Sequence, residues 1–180
     1  MPILRILPFG VLALMLAFAF ATYADLPPQI PTNFDFNGVV TGVRAKSIQS
    51  WFGLPFITLG IHLLLLTVVY ALPKRPQLFN FPDKDRFLRL PRSYQAPVIA
   101  VMQSTLDLTS LLVMVVMGLV QVMMWRAAHG ATDRVLHVVM LILPVVLGPT
   151  ILLSVSRVST AVDTAERRWR DDERTPQRTP

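Results

Sequence analysis

Long uncharged apolar runs, separated by short charged stretches, constrain the fold of this chain more than any other feature. A bilayer core of about 30 Å requires roughly 20 apolar residues in a helix. Four runs have that character and fit helices that cross a membrane, at residues 7–24, 54–72, 98–125 and 135–156. The pattern predicts an all-α integral membrane protein with four transmembrane helices.

The first run has an alternative interpretation as a secretory signal, because Arg5 precedes it and small residues end it. Its apolar stretch is long for a signal, and Thr22 is a poor residue three positions before a cleavage point. We therefore expect this run to be retained as a transmembrane helix.

Lysine and arginine predict the orientation of the helices. With four spans, the N-terminus, the loop 73–97 and the tail 157–180 share one side, which holds thirteen basic residues, whereas the other side holds four. Basic residues are retained on the cytoplasmic side, so both termini are predicted to be cytoplasmic. The loop between the first two helices then faces outward.

Composition limits the other classes of protein. The chain is 53% hydrophobic and only 16% charged, and its net charge of +6 lies beside the apolar runs, where it sets membrane orientation rather than binding nucleic acid. We expect one membrane domain, residues 1–156. Residues 157–180 are expected to form a charged cytoplasmic tail that is partly disordered.

The outer loop, residues 26–47, has a pattern of turn-forming residues. Pro27 and Pro31 end the first helix and favour an extended backbone. Asn37-Gly38 is a strong signal for a tight turn, and Phe34 alternates with polar neighbours as in a half-buried strand. The sequence predicts a short structured cap on the outer ends of the helices, and the simplest alternative is a plain connector.

The order Leu26-Pro27, Ile30-Pro31-Thr32, Phe34, Gly38, Gly42, Lys46 resembles the signature of a bacterial membrane-protein family, the domain of unknown function 1648. That domain occurs alone and at the N-terminus of SdpI-like toxin-immunity proteins. The resemblance covers about residues 5–72, and the later segment looks like the continuation of a stand-alone, four-span member.

Three positions depart from the family pattern, which often has histidine, aspartate and tryptophan where this chain has Asn33, Thr41 and Val43. A metal or proton role of the loop therefore does not carry over. The residues that shape the backbone are kept, and with Asn33 they form the candidate loop motif: Pro27, Pro31, Asn33, Gly38, Gly42 and Lys46. This set favours a structural or recognition role.

Polar side chains within the predicted spans form a second candidate site, comprising His62, Gln103 and Asp107. Ionisable residues inside a membrane are costly and are often functional. Asp107 lies roughly 14 Å from the start of its span and His62 roughly 12 Å from the opposite end of its own, so we hypothesise a contact between the two side chains. The alternative is an Asp107 that is hydrated or bound to serine and threonine near the cytoplasmic third of the span.

The sequence indicates no enzyme, cofactor or metal site. It has no cysteine, and His129 and His137 are eight residues apart without a metal-binding motif. The glycines form no phosphate-binding or dinucleotide-binding loop.

These features predict a multi-pass protein of the bacterial inner membrane, in which the outer loop has a recognition, immunity or regulatory role. Its expected partners are the lipid bilayer and either another membrane protein or a membrane-active peptide, with no nucleic acid. One alternative is a small permanent subunit of a larger membrane complex. Another is a proton-linked transport component that uses Asp107.

Overall fold

A computed structural model describes residues 2–35, 39–131 and 134–174 of the chain, and these are mostly helical. The described α-helices are α1 (Pro2–Tyr23), α2 (Ile48–Ala71), α3 (Lys84–Arg89), α4 (Arg92–Ala128) and α5 (Arg134–Arg174). A single 3₁₀ turn, Pro76–Leu78, lies between α2 and α3. Two strands, β1 (Gln29–Phe34) and β2 (Val40–Ala45), lie between α1 and α2.

Three of these helices are long and apolar enough to cross a membrane: α1, α2 and α4. This is compatible with a membrane protein. The fourth predicted span, residues 135–156, falls within α5, but most side chains between residues 134 and 151 lie outside the described part of the structure.

Local hydrogen bonds explain where the long helices begin and end. At the start of α2, the Ser47 hydroxyl accepts from the Ser50 backbone N–H (3.0 Å) and the Ser50 hydroxyl accepts from the Ser47 N–H (2.9 Å), which is a capping box. At the end of α4, Gly130 has a φ of 76°. That left-handed geometry lets the Ala131 N–H reach the Arg126 carbonyl, and such a turn favours glycine.

The predicted all-α fold is mostly helical in the structure, and the outer loop, which was predicted to be a short structured cap, contains a two-stranded antiparallel sheet. β1 and β2 pair from Gln29 opposite Ala45 to Phe34 opposite Val40, with irregular register around Asn33. The Asp35 carboxylate accepts from the Val39 N–H (2.8 Å) near the tip of this hairpin. The predicted strand around Phe34 overlaps only the end of β1, and the second strand lacks a clear alternation.

Helix α4 is the centre of the fold, since it packs against α1, α2, α5 and β1. Near the hairpin, a hydrophobic cluster joins Ala19, Ile30, Trp51 and Met124. Trp51 is fully buried there, and its indole N–H donates to the Ala19 carbonyl (2.9 Å), so it ties α2 to α1.

A second cluster lies at the opposite end of the bundle, where α3 packs on the first half of α4 and the last third of α5. Phe87 and Val98 are buried there together with Val162. The sequence predicted a charged tail from residue 157 that could begin as a helical extension and become disordered towards its end. The structure continues α5 as a packed helix to Arg174, and the end of the tail, residues 175–180, lies outside the described part.

Ion pairs at the surface fasten α3 to α5. Arg86 pairs with Asp163 and with Glu166, each at 2.6 Å, and also with Asp83 at 3.3 Å. The Ser159 hydroxyl donates to the Asp83 carboxylate. The segment between α2 and α4 therefore docks on the chain itself, through α3 and α5.

Candidate functional site

The outer hairpin, defined here as residues 26–47, is held against the helices by Lys46. Its ammonium group donates to the carbonyls of Ala24 and Leu26, both at 3.0 Å, just beyond the last turn of α1. It also lies 5.1 Å from the centre of the Tyr23 ring. A cation is favoured at a helix C-terminus because the last carbonyls carry partial negative charge, so this lysine fixes the hairpin to α1.

Gly42 is required by the packing inside the hairpin. A Cβ atom at this position would lie 3.0 Å from Asn33 Nδ2 and 3.2 Å from Asn33 Cβ. These distances are shorter than ordinary contacts, and the register of the strands shifts at the same pair. Asn33 and Gly42, two members of the predicted loop motif, therefore form one packing unit.

Two further contacts hold the hairpin in place. Ile30 is completely buried in the cluster with Trp51 and Met124. The imidazole of His129, beyond the end of α4, lies between two carbonyl groups: its Nε2 is 3.1 Å from the Asp25 carbonyl oxygen and its Nδ1 is 2.8 Å from the Trp125 carbonyl oxygen. This ring therefore links the end of α4 to the chain just before the hairpin.

The prolines of the loop motif lie where the chain leaves α1 and becomes extended, as the sequence predicted. The Pro28 carbonyl accepts from the Lys46 N–H (2.8 Å), and Pro27 is half-buried before it. Pro31 is buried within β1, opposite Val43. The remaining member of the motif, Gly38, lies outside the described residues, as does the predicted Asn37-Gly38 turn.

The hairpin presents exposed apolar side chains on its second strand and next to it. Val39, Val40 and Val43 are 59%, 37% and 52% exposed. A groove of about 820 Å³ runs between the hairpin and the first turns of α2; Asn33, Arg44 and Gln49 contribute polar groups, and Phe56 and Ile57 contribute apolar surface. Clustered exposed apolar groups with polar neighbours are typical of interaction surfaces.

A polar seam lies deeper, between α1, α2 and α4. The Asp107 carboxylate is almost completely buried and pairs with the Arg5 guanidinium, which donates through Nη2 (3.1 Å) and Nε (3.3 Å). Arg5 also lies over the ring of Tyr70, 5.3 Å from its centre. Three helices therefore meet at one buried charge, which is the arrangement expected of a charge that must be neutralised in an apolar bundle.

His62 occupies the neighbouring position, since its Nδ1 lies 2.7 Å from the Ser110 hydroxyl, one turn beyond Asp107. The ring of Phe9 packs edge-on against it at 4.5 Å. Gln103 donates to the Val69 carbonyl on α2 (2.9 Å). All three predicted polar residues therefore act between helices.

The hypothesised contact between His62 and Asp107 was wrong, because each side chain has a different partner. Asp107 binds Arg5 and His62 binds Ser110. From the sequence, Arg5 was interpreted as a residue flanking the first apolar run and not as a partner of Asp107. A signal was present: an arginine inside the first helix needs an anionic partner once that helix packs against others.

Within the described ranges, no cluster of three or more histidine, aspartate or glutamate side chains has an arrangement that could hold a metal ion. Both candidate sites are built from contacts between backbone carbonyls, amides and single charged groups. Such groups hold a shape and bind other polar groups.

A comparison with known protein families finds a match in the region of the hairpin. The model of the "Domain of unknown function (DUF1648)" family matches residues 10–59, which cover most of α1, the hairpin and the first half of α2. No curated protein and no solved structure matches the chain in the same kind of comparison. The segment 10–59 therefore carries the DUF1648 domain pattern, and the match covers less than half of the chain.

Proposed function

We propose that this protein is a non-enzymatic, four-span protein of the bacterial inner membrane whose outer hairpin recognises another membrane protein or a membrane-active peptide. Its role would be in recognition, immunity or regulation, as in the SdpI-like proteins that its hairpin sequence resembles. The bilayer is its other partner.

The observation that carries this proposal is the way in which the hairpin is held. Lys46, Ile30 and the Gly42–Asn33 pair fix its shape and position. Its valines and the adjoining groove stay open. A plain connector needs neither property, whereas a preorganised surface lowers the entropy cost of binding.

The polar seam supports a particular position in the membrane. From Asp107 to Ala128, α4 rises about 32 Å, which matches a hydrocarbon core of about 30 Å. Arg5 and Tyr70 lie at the level of Asp107, near the ends of α1 and α2 that point away from the hairpin. We therefore place this level at the cytoplasmic boundary and the hairpin at the outer one.

The remaining parts of the proposal follow from this position. The start of α4, α3 and the last third of α5 would extend into the cytoplasm as one packed module. The predicted span 135–156 would be the fourth to cross the membrane, so that both termini are cytoplasmic and the thirteen basic residues lie inside.

Asp107 has a structural role in this proposal, in preference to proton-linked transport. Its carboxylate is held by three donor contacts from Arg5, and a fixed ion pair between helices is suited to holding them together. The alternative is a permanent subunit of a larger complex. Such a subunit would co-purify stoichiometrically with that complex in mild detergent.

The proposal is tested by cross-linking in the native host, with a photoreactive benzophenone amino acid in place of Val43. We expect a discrete adduct of defined mass at this position. Leu64, which is 64% exposed on α2 away from the hairpin, is the matched control and should give only diffuse lipid adducts. A Val43 adduct pattern that equals the Leu64 pattern would rule out recognition through this face.

A further inference from the structure

A groove of about 1020 Å³ lies between the first turns of α4 and the last third of α5. It is on the side of this helix pair away from Arg86 and α3, since none of the α3 residues contributes to its lining. Between Ser156 and Asp172, α5 rises about 24 Å, so the groove has the length of several helical turns. One face of the helix pair is therefore covered by α3, and the other face is open.

The surface of the groove suits close contact with another helix. Its apolar floor includes Val101, Ala161 and Ala165, and its walls carry hydroxyl groups such as those of Thr160 and Thr164. Helices pack with their axes 8–10 Å apart when side chains at the contact are small, and small residues permit the closest approach.

Charges of both signs lie at the end of the groove that is farthest from the membrane-spanning part. Arg168 and Asp171 are exposed there and form no ion pair within the described residues. Asp172 is next to them and accepts a hydrogen bond from Tyr94. Arg168 is therefore within about one helical turn of two carboxylates on the same rim.

We propose that this groove binds the same groove of a second copy of the chain. Two copies inserted the same way in one membrane are related by a twofold axis along the membrane normal, so residues at equal depth meet. Asp171 and Asp172 lie only about 4.5–6 Å further along the helix than Arg168, a distance that the long arginine side chain spans, so Arg168 of each copy would reach the acidic pair of the other copy. The two α4–α5 pairs would then form a four-helix assembly. This symmetry depends on the membrane position proposed above, but not on what the hairpin recognises.

The absence of cysteine from the chain allows single-cysteine variants to test the contact. The full-length Thr164→Cys variant, in nanodiscs that hold two copies, should form a disulfide-linked dimer under mild oxidation. Glu173→Cys is the matched control, because Glu173 is exposed on the α3 side of the same helix. We expect at least about tenfold faster cross-linking at residue 164 than at residue 173.

Charge reversal separates a specific contact from random collision. In the Thr164→Cys background, Arg168→Glu should slow the cross-link, and adding Asp171→Arg should restore the rate. Equal rates at residues 164 and 173, or a failure of the double reversal to restore the rate, would overturn the proposal. So would a monomer whose groove holds a phospholipid in native mass spectrometry and loses it on Arg157→Gln, since a lipid headgroup would then be the occupant.

Discussion

At the scale of single residues, Asp107 shows how this chain accommodates a charge inside an apolar bundle. Its carboxylate is nearly inaccessible, whereas the side chain of Arg5 is 29% exposed. The arginine can therefore neutralise the buried charge while part of its own charge stays hydrated. At Gly42, the absence of a Cβ atom makes room for the side chain of Asn33.

Breaking the Arg5–Asp107 pair on one side should destabilise the bundle. Removing one partner from a fully buried pair costs about 3–5 kcal/mol, and the partial exposure of Arg5 reduces our expectation for Arg5→Met to roughly 1–3 kcal/mol. The double variant Arg5→Met/Asp107→Leu should recover much of the loss, because no unpaired charge is left. Unfolding in detergent, analysed as a double-mutant cycle, measures this coupling; additive losses would contradict a direct pair.

A methyl group at position 42 should destabilise the hairpin specifically. We expect Gly42→Ala to lower the free energy of unfolding by about 1 kcal/mol, because the new Cβ atom would meet Asn33 at 3.0–3.3 Å. Gly53→Ala is the control, since nothing lies within 4 Å of a Cβ atom there and alanine favours a helix. Equal effects of the two substitutions would refute the packing role of Gly42.

At the scale of elements, the hairpin and the α3–α5 contact are each fastened by a single basic residue. Lys46 binds two carbonyls at the end of α1, and Arg86 binds three carboxylates around α3. In both cases a short element with little core of its own is held by charge-assisted contacts. Loss of the basic residue should release that element without unfolding the bundle.

For the hairpin, Lys46→Met should leave α1 and α2 intact and increase amide hydrogen exchange in β1 and β2. Two hydrogen bonds from a charged donor are lost, and we expect local protection to fall by roughly 1 kcal/mol after allowance for solvent exposure. Arg44→Met provides the control, because Arg44 is exposed on the same strand and its side chain lines the groove. Similar exchange in both variants would show that Lys46 does not anchor the hairpin.

For α3, the docking on α5 should weaken in acid. The hydrogen bond from Arg86, followed by that from Arg170, lowers the pKa of Glu166, and the hydrogen bond from Ser159, followed by that from Arg86, lowers the pKa of Asp83. A carboxylate with a lowered pKa in the folded state contributes stability above its unfolded pKa. It loses that contribution as the pH falls through the folded pKa, which for both groups lies below the ordinary pKa of a free carboxylate.

The fluorescence of Trp169, which packs against the buried cluster beneath α3, should report this release on titration from pH 6 to pH 3. The Arg86→Gln variant should undergo the change at higher pH, because the carboxylates then regain more ordinary pKa values. Identical titrations of the two proteins would contradict the role of Arg86.

The helices could be predicted from the sequence because a long apolar run has few other stable structures in a membrane. Their ends were less predictable, since α2 begins at Ile48 through the Ser47–Ser50 capping box and α4 begins at Arg92, outside the apolar runs. The pairing of side chains between helices could not be predicted. Arg5 and Asp107 are 102 residues apart in the chain, and their contact depends on how α1 and α4 pack. The burial of Trp51 could not be predicted for the same reason, because it also depends on how the helices pack.

At the scale of the whole molecule, the chain has two ends with different properties. The hairpin end carries the DUF1648 match, a small sheet and exposed valines. The other end has α3 clasped to α5, the ion pairs of Arg86 and an open groove. Between them, Arg5 and Asp107 lie near the boundary that we propose on the cytoplasmic side, so a contact made at the hairpin and an assembly formed at the groove would lie on opposite sides of the membrane.

Labelling of single cysteines in intact cells tests whether the two ends lie on opposite sides of the membrane. The chain has no native cysteine, so Val43→Cys and Arg167→Cys each introduce one exposed thiol. We predict that a membrane-impermeant maleimide labels residue 43 in intact cells and residue 167 only after permeabilisation. Labelling of residue 167 in intact cells, or protection of residue 43 until the cells are opened, would contradict the account.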